Sequence, residues 1–140
     1  MFSVIHLARF AAIISFSTLA YSHDLEVSYH CPLVESIRSS TRYIYAHTNY
    51  NNQVFYWNSE SFTPARFSGV NKFVDAHLWH SVNFGYRASC RYEDNSGGMI
   101  TLEPLFNPTK ITGKAGDNWN NDVCTAYSPT ECVFHVAPRF

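Results

Sequence analysis

The sequence predicts a mainly β protein, a compact antiparallel sandwich or barrel with one short amino-terminal helix and two disulfides. Three observations carry that expectation. One long run alternates with a period of two, several short aromatic runs are separated by turn-forming residues, and four cysteines follow what reads as an export leader.

The leader comes first. His6 and Arg9 precede the mostly apolar stretch Phe10–Ala20, and Ala20-Tyr21-Ser22 puts small residues at the two positions a signal peptidase reads. Residues 1–22 are therefore expected to be a signal peptide and 23–140 a single domain starting at His23. The apolar stretch falls short of the roughly twenty residues a transmembrane helix needs, so no membrane insertion is expected after cleavage. The location that follows is secreted or periplasmic.

Next, Pro32-Leu33-Val34-Glu35-Ser36-Ile37-Arg38 reads as the one helix: proline suits the first helical position, Glu35 the positive end, and Leu33, Val34 and Ile37 share a face. Strands are expected over Tyr43–His47 and Gln53–Trp57, joined through the Asn-rich turn at 48–52, and again over Lys72–Trp79. In the run Val82–Glu93 even positions are apolar or aromatic and odd positions are polar or glycine, which describes a strand with one buried face. Asp94-Asn95-Ser96-Gly97-Gly98 then supplies a turn, and Ile100-Thr101-Leu102-Glu103 resumes the alternation, so a β-hairpin is expected. Residues 107–121 hold Pro108, Gly113, Gly116 and several Asn with little periodicity, and read as a long loop anchored by Trp119. Cys132–Val136 is the last strand.

Cys31, Cys90, Cys124 and Cys132 form an even set in an exported chain, which points to two disulfides. Three pairings are open. Cys31–Cys90 with Cys124–Cys132 is favoured, because the second pair flanks Tyr127-Ser128-Pro129-Thr130 and the first ties the amino-terminal segment to a central strand. On the chain-entropy argument the long loop contributes about 4 kcal/mol and the short one about 2.5 kcal/mol. A four-cysteine zinc site is disfavoured, since no Cys-x-x-Cys occurs.

These landmarks resemble a family of small exported bacterial proteins known as domain of unknown function 3757. The residues that carry the resemblance are Cys31-Pro32 with Ile37, Trp57, Phe67 or Phe73, Cys90-Arg91-Tyr92 before Gly97-Gly98, and Cys124 with Cys132-Val133-Phe134. The resemblance implies a bacterial exported protein with this disulfide layout. It brings no activity and no catalytic residues.

Charge narrows the partners. Loss of Arg9 lowers the Lys+Arg count from 10 to 9 against 11 Asp+Glu, and no basic run occurs, so nucleic acid and anionic membranes are not expected ligands. No cofactor is indicated. His23 as a free terminus is a weak copper candidate. His77 and His80 lie three apart, but on a strand they face opposite sides. His47, Glu60, Arg87 and His135 match the residue types of a small ribonuclease. The segment Tyr45–Asn52 that suggests them is equally an Asn-rich turn, and no hydrolase motif accompanies it. Abundant aromatics offer a binding surface drawn from Tyr50, Tyr56, Trp57, Trp79 and Trp119. The reading that results is a non-enzymatic, monomeric exported binding protein acting on a host or competitor protein. A carbohydrate-binding module, a small hydrolase and a copper protein are the alternatives.

Overall fold

Alternation in the central run organises the structure. The computed structural model describes residues 27–50, 53–59, 67–83, 85–105 and 111–137. The strands are β1 (Val27–His30), β2 (Arg38–Ser39), β3 (Ile44–Tyr50), β4 (Gln53–Asn58), β5 (Val70–Ser81), β6 (Gly85–Asp94), β7 (Met99–Pro104), β8 (Ile111–Ala115), β9 (Trp119–Asn120), β10 (Val123–Thr125) and β11 (Val133–Val136). They form an eight-stranded sheet, ordered β2-β3-β4-β7-β6-β5-β10-β9, and a three-stranded sheet, ordered β1-β11-β8. The mainly β, antiparallel reading holds.

The two sheets face each other through aromatic side chains. Tyr29 of the small sheet meets Phe55 of the large one with ring centroids 4.4 Å apart, and Phe134 meets Trp57 at 6.2 Å. Around them Ile44, Leu78, Tyr92, Leu102, Ile111 and Val136 are buried. Burial of this apolar surface is the main favourable term in folding.

On β6 the even residues Ala88, Cys90 and Tyr92 point inward as the alternation predicts. The run divides at Gly85: Val82 and Asn83 belong to the turn from β5, and β6 begins after them. Strand β5 pairs with β6 along its length, with register shifts between Val70 and Lys72 and between Phe73 and Asp75. The second shift moves the inward set from Phe73 to Ala76 and Leu78 and turns Asp75 and Trp79 to the other face.

The expected helix over Pro32–Arg38 is not formed. A single 3-10 turn occupies Val34–Ser36, and both Leu33 and Ile37 are extended. Two tethers explain this: Cys31 is bonded to Cys90, and the buried Tyr92 hydroxyl donates to the Pro32 carbonyl at 2.6 Å. Together with a Ser36 hydroxyl bond to the Leu33 carbonyl, they hold a segment too short to nucleate a helix in an extended path. The loop expected over 107–121 is corrected as well, since it contains β8 and β9. Strand β8 pairs with β11 and β9 with β10, and Gly113 lies opposite His135.

Both disulfides join the favoured partners, Cys31–Cys90 and Cys124–Cys132. Such bonds belong to an oxidising environment. Among the described residues no helix is long and apolar enough to cross a membrane.

Candidate functional site

The outer face of the large sheet is where the sequence-predicted residues sort themselves. On β4 the alternation places Phe55 and Trp57 inward and Val54 and Tyr56 outward, with Tyr56 51 % exposed and Trp57 fully buried. Trp57 therefore does not belong to a binding surface. Its indole N–H donates to the Thr48 hydroxyl at 3.0 Å, inside the core. Trp119 is half-buried against that core and its indole donates to the Val133 carbonyl at 2.7 Å, so it too serves the interior. Trp79 stands on the outer face, next to the buried Leu78. Tyr50 ends β3 opposite Gln53. His23 and Glu60 lie outside the described residues.

Cross-strand register assembles an outward row. His47 on β3 pairs with Tyr56 on β4, their rings 4.9 Å apart and edge-on, and Tyr45 lies 5.6 Å from His47. Leu105, just past β7, donates its N–H to the Tyr56 carbonyl at 2.9 Å and is 45 % exposed. On β6, Arg87 reaches the Glu103 carboxylate at 3.9 Å, and on β5 Trp79 is its partner. Neighbouring strands are about 4.8 Å apart, so the row from His47 to Trp79 crosses roughly 19 Å of sheet. Where β3 runs past the two residues that β2 pairs with, a concavity of about 190 Å³ opens among His30, Leu33, Ser36, His47, Thr48 and Asn49.

Beside this row lies a charged group that the sequence reading missed. Asp75, turned outward by the bulge, is gripped by the Arg91 guanidinium, with Nε at 2.6 Å from Oδ1 and Nη2 on Oδ2. His77 Nε2 is 3.3 Å from Oδ1 of the same carboxylate, without the alignment of a hydrogen bond. Burial alone would raise the Asp75 carboxyl pKa. The hydrogen bonds and charge of Arg91, aided by His77, outweigh it and hold the group below the usual carboxylate range. A carboxylate inside an otherwise apolar strand, Phe73-Val74-Asp75-Ala76, was the available signal.

The ribonuclease set does not come together among the described residues. His47 and Arg87 share the outer face but β4 and β7 separate their strands, while His135 is on β11 of the small sheet, beside Ser28. His77 and His80 face opposite sides: His77 meets Asp75, and His80 stacks edge-on against Tyr86 at 5.1 Å. Among the described residues no three His, Cys, Asp or Glu side chains cluster to hold a metal.

Compared with known family models, curated proteins and solved structures, the chain matches none. Geometry is what remains to be read. A face that exposes Val54, Tyr56 and Leu105, with half-buried Tyr45, among His47, Arg87 and Glu103 combines apolar contact with directional polar groups. Tyrosine and arginine, both present on it, are residue types enriched in protein–protein interfaces.

Proposed function

We propose that the mature chain is an exported, non-enzymatic binding protein that docks a host or competitor protein on the outer face of its large sheet. The observation that carries this reading is the row of exposed His47, Tyr56 and Arg87 on strands whose opposite faces are buried, with half-buried Tyr45 and exposed Leu105 beside it. An outward tyrosine loses little side-chain entropy on binding and offers both a ring and a hydroxyl. The leader-like segment and the disulfides support export, and a β scaffold clamped by disulfides keeps such a face rigid outside the cell.

The test is affinity capture with the chain from His23, run in parallel with variants of the face. Tyr56→Ala and Arg87→Ala should each weaken recovery of the captured protein by tenfold or more, about 1.4 kcal/mol. Val82→Ser, at the exposed turn between β5 and β6, should leave it unchanged. Recovery insensitive to both face variants would refute the assignment.

A further inference from the structure

At the opposite end of the same face the sheet finishes in the β9–β10 hairpin, and its chemistry is different. Asn118, Asn120, Asn121, Asp122, Val123 and Thr125 line a concavity of about 500 Å³, within the size range of small-ligand sites. Asn120 pairs with Val123, and Val123 with His77, so these side chains continue the outward face while Trp119 and Cys124 turn inward.

Three of the six lining residues are asparagines. Each Asn side chain presents donors and an acceptor, the combination that pairs with a hydroxyl able to do both. Asn118 Nδ2 is committed to the Glu131 carbonyl at 3.0 Å, which fixes that side chain and leaves its oxygen. Asn120, Asn121 and Thr125 make no side-chain hydrogen bond among the described residues, so their groups stay available. The one carboxylate, Asp122, is offset by Lys114 Nζ at 3.1 Å, so the lining selects neither a cation nor an anion.

Leu78 donates its N–H to the Asp122 carbonyl at 2.8 Å, which holds the hairpin turn against β5. The hairpin is also rigid, braced by the Trp119 indole bond to Val133 and by Cys124–Cys132. Asn121 holds a left-handed φ of 54°, a conformation asparagine tolerates better than most residues.

We infer that this hairpin concavity is a binding site for a neutral saccharide, with the amides of Asn118, Asn120 and Asn121 and the Thr125 hydroxyl meeting sugar hydroxyls. The site is separate from the docking row around Tyr56 and does not depend on it. Paired donors and acceptors without net charge suit a ligand whose hydroxyls both donate and accept.

Chemical-shift titration of the isotopically labelled chain from His23 tests the site, with glucose, galactose, mannose, N-acetylglucosamine and their short oligomers as probes. At least one neutral saccharide should shift the side-chain amides of Asn120 and Asn121 saturably, while the Trp119 indole stays put. Asn120→Ala combined with Asn121→Gly should weaken that binding about tenfold, and glycine at 121 keeps the left-handed backbone so that folding survives. Absence of saturable shifts with every saccharide, shifts centred on His47 and Tyr56, or full binding by the double variant would each overturn the inference.

Discussion

Asp94 shows how a single side chain fixes a turn. Its Oδ1 accepts from the Ser96 N–H at 2.8 Å, the Ser96 hydroxyl at 2.6 Å and the Gly98 N–H at 2.8 Å, while its own N–H donates to the Gly98 carbonyl at 2.8 Å. Gly97 takes a positive φ of 86°, and a Cβ at Gly98 would lie 2.9 Å from Asp94 Oδ2, so glycine is needed at both places. The Ser96 hydroxyl, followed by the turn's backbone N–H groups, holds the Asp94 carboxyl below its usual range, and Asp75 is lowered too, with Arg91 overcoming the effect of burial. Both groups thus bind protons more weakly folded than unfolded. Their stabilisation is complete above the unfolded carboxylate value of about 4 and is lost as pH falls through the lower folded values. Urea unfolding across a pH series should show stability falling on the acid side, with a shallower fall in Asp94→Asn. A profile level down to the acid limit of both groups would contradict this.

Strands were legible where one face is simply covered. Alternation located β6 and β7, but on β4 it left open which side is inward, and the structure turns Phe55 and Trp57 to the small sheet and Tyr56 to solvent. It failed where backbone geometry breaks the period: the bulge at Phe73/Asp75 hides the charged pair with Arg91, and β8, with Gly113 inside it, lacks a run of side chains to declare it. It failed also at Pro32–Arg38, where long-range tethers to Cys90 and Tyr92 override a local helical pattern. Of the proposed aromatic surface, Tyr56 and Trp79 face outward, whereas Trp57 belongs to the core, since composition reveals rings but not their side of the sheet. The tethers make an ordered prediction. Removing Cys31–Cys90, which spans 59 residues, by paired alanine substitution should cost about 4 kcal/mol in denaturant unfolding. Removing Cys124–Cys132, which spans 8, should cost about 2.5 kcal/mol. A larger loss for the short loop would show that native contacts, not loop closure, set the effect.

Across the whole molecule the two sheets divide the work. The small sheet covers the inner face of the large one and supplies Tyr29, Ile111, Phe134 and Val136 to the core, which frees the outer face to carry side chains that fold stability does not require. Neither the row around Tyr56 nor the amides of the β9–β10 hairpin are needed for that core, so substitutions on them test binding without unfolding the scaffold.

The pairing of β1 with β11, Val27 opposite Val136, has a further consequence for the order of events as the chain is made. The first described strand has its partner only when the last one arrives, so the three-stranded sheet cannot close on a nascent chain and Tyr29 waits for Phe134. Contacts of such long sequence separation form late and slowly. A chain that ends before Val133 should therefore keep no cooperative unfolding transition, with Trp57 as the sole tryptophan in a Trp79→Phe, Trp119→Phe background reporting a solvent-exposed indole, although the strands of the large sheet are all present in it. Closure of the small sheet over the core thus waits for β11, which pairs with β1 on one side and β8 on the other.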